Sequence, residues 1–183
     1  MAFALTNISN EALKRRPKCG NVRIISIDGP AGSGKTTLAH HLAHLLNDCP
    51  VISMDNLYAG WTHALDDETF HRIIEQIMEP LRLNGTANYQ RYDWHEQAFT
   101  NWISIPSTEY LILEGVGAGH PLLRNFVTLP IWIEAEKKLR LNRVLDRDGH
   151  KIRDEMLQWQ IDEEKYFKKY KVKDSAEYIL SSS

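Results

Sequence analysis

The apolar positions of this chain alternate between short β-branched runs and stretches of helical period. Val22, Ile24, Ile25 and Ile27 form a run broken at Gly29-Pro30, the pattern of a strand buried on both faces. From about Lys35, the residues Leu38, Leu42, Leu45 and Leu46 recur at i, i+4, i+7 and i+8 and predict a helix with one core face; His40, His41 and His44 project from the other. A strand at Val51, Ile52 and Met54 precedes a second helix over 66–83, whose Phe70, Ile73, Ile74, Ile77, Met78 and Leu81 keep helical spacing. Residues 84–108 hold no sustained period and read as irregular with short strands. Strands at 111–113 and 127–133, each followed by a helix, helices over 136–147 and 151–170, and a short strand at 178–180 complete the order. Residues 1–20 read as a polar leader and 181–183 as a frayed end. This alternation predicts an α/β fold: one domain over 1–183, its core spanning 22–180, with a mostly parallel sheet covered by helices on both faces. In such a sheet, ligands bind at the carboxyl ends of the strands.

Composition narrows the function classes. With 183 residues, 22 Lys+Arg against 24 Asp+Glu, and a net charge of −2, the chain carries no basic surface of the kind that drives sequence-independent nucleic-acid binding. Cys19 and Cys49 form no CxxC pair, so neither a disulfide framework nor a four-cysteine zinc site follows. His40 and His44 have i,i+4 spacing but no third ligand beside them, which makes a solvated helix face the better reading. No apolar stretch approaches the ~18 residues of a membrane span, and residues 1–10 lack a basic start, so a soluble cytoplasmic protein is expected.

The strongest local signal is Gly29-Pro30-Ala31-Gly32-Ser33-Gly34-Lys35-Thr36, a match to G-x-x-x-x-G-K-[ST] between a predicted strand and a predicted helix. Its glycines let backbone N–H groups turn around phosphate oxygens, the helix start adds a positive dipole end, and Lys35 supplies a compact cation. Thr36 offers a hydroxyl to Mg²⁺, and Thr37 supports the phosphates or the helix start. The chain lacks the N-K-x-D base-reading motif of GTPases and is short for a typical motor or AAA module. Small-molecule kinases remain, using ATP and Mg²⁺, and these need a metal partner, a base and charge clamps.

Candidates for those roles sit at predicted strand ends. Asp55, after the second strand, is placed to accept the proton of an attacking hydroxyl; a turn or cap aspartate is the alternative. Glu114 ends the third strand, as a carboxylate holding Mg²⁺ beside Thr36 would, or as one arm of a salt bridge. Arg140, Arg143 and Arg147 share one helical face that could close over the triphosphate or pair with Glu136, Asp146 and Asp148. Tyr58, Trp61, Tyr89, Tyr92 and Trp94, with Arg91 and Asp93 among them, form either an acceptor pocket or core.

Taken in order, these motifs resemble the uridine kinase-like branch of P-loop kinases. The resemblance runs from Val22 to Leu180 and rests on the phosphate loop, Asp55 followed by Tyr58, the segment Tyr92 to Phe99, Leu113-Glu114-Gly115, Ile131 to Glu134, and Arg140 through Asp148. It implies a three-layer fold with a five-stranded parallel sheet, Asp55 as base, Glu114 near Mg²⁺, Arg143 and Arg147 in a small lid, and a nucleoside-like acceptor. Trp94 stands where that family has a nucleoside-contacting His, Val144 replaces one lid arginine, and Gly115 to His120 is unusually rich in glycine. The string Ile27 to Lys35 is similar to cytidylate kinase, a nucleoside monophosphate kinase, which ranks second; Arg72, Arg82 and Arg91 are the cations such an enzyme would use for an acceptor phosphate. A regulatory protein that binds ATP without an acceptor is the third reading.

Overall fold

In the computed structural model, which describes residues 2–182, the first buried run becomes β1 (Arg23–Asp28), the central strand of a five-stranded sheet. β2 (Val51–Ser53), β5 (Tyr110–Glu114), β6 (Val127–Glu134) and β7 (Tyr178–Ser181) join it in the order β2-β5-β1-β6-β7, every pairing parallel. Alternate β1 residues face opposite sides. Ile25 and Ile27 pack with Leu38 and Leu42 of helix α2 (Lys35–Leu45), while Ile24 joins a second core containing Phe70, Ile77, Trp132 and Trp159. Helices therefore cover both faces, as the alternation requires.

The chain winds from β1 first toward β2 and later toward β6, so the direction of winding reverses beside β1. A crevice opens at such a reversal, outside the carboxyl ends of the strands. The ends of β1, β2 and β5 carry the phosphate loop, Asp55 and Glu114 respectively.

Several elements differ from the expectation. The segment read as a polar leader contains helix α1 (Ala2–Lys14), whose Leu5, Ile8 and Ala12 are buried at i, i+3 and i+7 in the core shared with α2. Leu45 is exposed, and Ala39 and Ala43 complete the core face of α2 in its place. The helix expected over 66–83 is three segments: α3 (Asp67–Ile73), one π-helical turn at Ile74–Met78, and α4 (Glu79–Asn84). Residues 84–108 hold an antiparallel hairpin, β3 (Ala87–Asp93) and β4 (Ala98–Ile105), with a register shift between Gln90 and Tyr92. No α-helix follows β5; a glycine-rich loop and a 3₁₀ turn at Pro121–Leu123 lead to β6. Helices α5 (Lys137–Asp148) and α6 (Arg153–Tyr170) fall where expected. The end is not frayed at Ser181 and Ser182: Ser181 pairs with Glu134, and the Ser182 hydroxyl donates to Ser33 O at 2.8 Å. Ser183 lies outside the described residues.

Candidate active site

The phosphate loop runs from the end of β1 into α2. Gly34 caps the helix at φ 95°, a left-handed conformation open to glycine, and no side chain caps the first turn. The N–H groups of that turn are thus available to an anion, with the helix dipole behind them. Lys35 is buried, and its Nζ donates to Gly29 O at 2.8 Å and Pro30 O at 3.0 Å, so the cation lies inside the loop. Thr36 and Thr37 are exposed on the first turn.

Glu114 is buried at the end of β5 and accepts from the Thr36 hydroxyl at 3.2 Å. Burial raises its pKa above the usual carboxylate range, against the pull of Lys35. A hydroxyl and a carboxylate at this separation are hard oxygen donors, few in number, which suits Mg²⁺ completed by phosphate and water. Among the described residues there is no group of three or more His, Cys, Asp or Glu side chains that could hold a metal by itself.

Asp55 sits on the 3₁₀ turn Met54–Asn56, where its own N–H donates to Ser53 Oγ at 3.4 Å. Its residue surface reaches solvent, yet protein surrounds the carboxyl closely enough that desolvation raises its pKa; Lys35 and Arg147 oppose the rise and Asp148 adds to it. Lys35, Thr36, Asp55, Glu114 and Arg147 thus belong to one electrostatic neighbourhood.

The arginines divide. Arg147 is held in two hydrogen bonds to Asp148, at 2.7 and 2.6 Å, and feels both Asp55 and Glu114. Arg143 donates to Gly32 O at 3.4 Å and Ser182 Oγ at 2.9 Å, against the loop backbone. Arg140 is buried and pairs with Glu163 at 2.9 Å. Glu163 also accepts the Ala31 N–H at 2.8 Å, and Arg140 donates to Ala31 O at 3.3 Å, closing a ring around the phosphate loop. Sequence reasoning missed Glu163, one acid among several on α6. Its mark is tertiary and has no local pattern.

The aromatic cluster is partly as expected. Tyr58, Trp159, Trp61, Trp94 and Tyr92 form a chain of ring contacts with centroids 5.3 to 5.8 Å apart, and the Trp94 indole donates to Asp55 O at 2.9 Å. Tyr58 is buried and donates to Val116 O at 2.5 Å; Tyr89 belongs to the core. Trp159 was not anticipated, because it lies on α6, remote in sequence. Asp93 caps the hairpin turn by accepting the N–H groups of His95 and Glu96, and Arg91 is exposed at the register shift, so neither joins the cluster. A cavity of about 560 Å³ opens beside the cluster, lined by Trp61, Trp159, Tyr166, Tyr170, Asp66 and Asp162 among others.

The chain is similar to a uridine kinase of Borrelia duttonii (strain Ly), 29% identical over 146 residues that cover 71% of this chain and 69% of that protein. It is 24% identical to uridine-cytidine kinase C of Dictyostelium discoideum over 146 residues, 75% of this chain and 32% of the larger protein. A solved structure from Bacillus stearothermophilus, described as a possible uridine kinase, superposes with a TM-score of 0.69 at 17% identity, over 98% of this chain and all of that one, and so shares the fold. The family model described as an AAA domain matches residues 25–168, which overturns the exclusion of AAA modules by length. The matched span runs from β1 through the phosphate loop and the arginine-bearing helix into α6, and the chain belongs to the AAA domain family.

Proposed function

We propose that this protein, an ATP-dependent small-molecule kinase, transfers the γ-phosphoryl group of ATP to a hydroxyl of a nucleoside or a closely related metabolite in the cytoplasm. The observation that carries the reading is the meeting of Lys35, the Thr36–Glu114 pair and Asp55 at three neighbouring strand ends. Phosphoryl transfer asks little covalent chemistry of a protein; it needs alignment and charge. The loop and Lys35 hold the triphosphate. Thr36 and Glu114 would hold Mg²⁺, which when bound neutralises charge on the phosphates. Asp55, its pKa raised by burial, takes the proton of the acceptor hydroxyl, and a raised pKa makes it the stronger base. Arg147 contributes positive charge on the lid side, and Arg143 steadies the loop.

The cavity beside Trp61 and Trp159 suits a flat acceptor, with Tyr58 and Trp94 around the Asp55 turn. A monophosphate acceptor is less well served. Arg72 donates to Leu57 O and lies over the Phe99 ring, Arg82 pairs with Glu79, and Arg91 is exposed. A purely regulatory ATP binder leaves the Asp55 turn and its aromatic surroundings without a role.

ADP release should be measured with ATP and Mg²⁺ against nucleosides, nucleoside monophosphates, pantothenate and sugars, for the unsubstituted protein and Asp55→Asn. The expected result is stimulation by a nucleoside-like acceptor and a fall in turnover of at least ~10²-fold on substitution, with ATP binding retained. Full turnover by Asp55→Asn removes Asp55 from the mechanism. Stimulation by monophosphates alone favours the second reading.

A further inference from the structure

The glycine-rich loop Gly115 to His120 has no place in the chemistry above, and the buried carboxylate of Asp28 explains it. Asp28, the last residue of β1, is 2% exposed. Its Oδ1 accepts the Gly29 N–H at 2.6 Å, and its Oδ2 accepts the N–H groups of Gly117 at 3.1 Å and Gly119 at 2.8 Å. One carboxylate therefore joins the first residue of the phosphate loop to the loop that leaves Glu114. Glycine is required there for close approach: a Cβ on Gly119 would stand 2.8 Å from Val172 Cγ1 and 3.3 Å from Asp28 Oδ2.

The same loop carries the acceptor side. Val116 O accepts the Tyr58 hydroxyl, and the Met54 side chain lies against Gly115 and Gly117, so the turn bearing Asp55 rests on it. Lys35 contributes an attractive charge to Asp28 from the phosphate loop.

We infer that Asp28 is a positioning residue that fixes Glu114 and the Asp55 turn against the phosphate loop, setting the Thr36–Glu114 pair for Mg²⁺ and the base for the acceptor. This rests on the nucleotide-binding reading of the loop. Asn at this position cannot serve all three donors. With its oxygen toward Gly117 and Gly119 its amide N–H faces the Gly29 N–H, and the reverse orientation leaves two donors without an acceptor.

The test is the affinity for ATP measured by calorimetry with and without Mg²⁺, for the unsubstituted protein, Asp28→Asn and Gly119→Ala, beside thermal melts and steady-state kinetics. Both variants should keep the metal-free affinity within ~3-fold while losing roughly tenfold of the gain that Mg²⁺ confers, a coupling of ordinary size between linked sites. Acceptor-dependent kcat should fall with little change in the acceptor KM. An undiminished Mg²⁺ gain in folded variants would overturn the inference. So would equal loss of ATP affinity with and without Mg²⁺, the mark of a merely structural role. Failure of the unsubstituted protein to bind ATP would instead overturn the nucleotide-binding reading, and the inference with it.

Discussion

The ring formed by Glu163, Arg140 and Ala31 allows a stability prediction worked from its geometry. The side chains of Arg140 and Glu163 are 10% and 2% exposed and 2.9 Å apart, so neither charge has water to fall back on. Glu163→Leu leaves the guanidinium buried with only the Ala135 and Ala31 carbonyl oxygens, at 3.1 and 3.3 Å, and leaves the Ala31 N–H unpaired. Breaking such a pair from one side costs about 3–5 kcal/mol, a fall in Tm of ~6–20 °C for a chain of this length. Arg140→Leu should cost a similar amount by stranding the carboxylate. The double substitution removes both charges together, and replacing a buried pair by apolar groups is often near neutral. Its loss should therefore be smaller than the sum of the single losses by at least ~2 kcal/mol. Urea unfolding of the four proteins at neutral pH measures this. Single losses below about 1 kcal/mol, or additivity within about 0.5 kcal/mol, would refute the claim that the ring braces the phosphate loop.

Two further outcomes are expected. His120 is buried, stacked on Phe70 with ring centroids 3.7 Å apart, and burial lowers its pKa from 6.5 to about 4. Its folded pKa is depressed, so the unfolded chain takes up the proton first. Its contribution is present above pH 6.5 and is lost as pH falls toward about 4; a pH series of urea midpoints should show that slope, and His120→Phe should remove it. Trp94→Phe deletes the hydrogen bond to Asp55 O from a partly exposed ring, so kcat/KM for the acceptor should fall about three- to tenfold with Tm within ~3 °C; unchanged kinetics would remove the hairpin from the acceptor site.

The parts of this protein that were legible in the sequence are those whose physics is local. The phosphate loop declares itself because glycines, a lysine and a threonine must stand at fixed offsets between a strand and a helix, and Asp55 and Glu114 because each ends an apolar run. Short strands were expected within 84–108, but their length and their pairing into a hairpin were not legible. Most of β4 is exposed, so burial imposes little alternation on it, and its turn uses Gln97 at φ 51° where a glycine or asparagine would have signalled it. Helix α1 hid because its short buried stripe lies among polar residues. Glu163, Trp159 and Asp28 owe their roles to contacts across the fold, which spacing along the chain does not record.

The ring chain around Asp55 also gives the protein an optical handle. Three of its five tryptophans, Trp61, Trp94 and Trp159, lie in that chain, while Trp102 is on the outer hairpin and Trp132 packs against Phe167. Indole emission responds to nearby charge and to exclusion of water. A molecule settling in the cavity between the Trp61 to Asp66 segment and α6 should therefore alter the intrinsic spectrum without any label, and the shift would survive in Asp55→Asn. Occupancy of the cavity proposed for the acceptor could then be followed in a protein expected no longer to turn over.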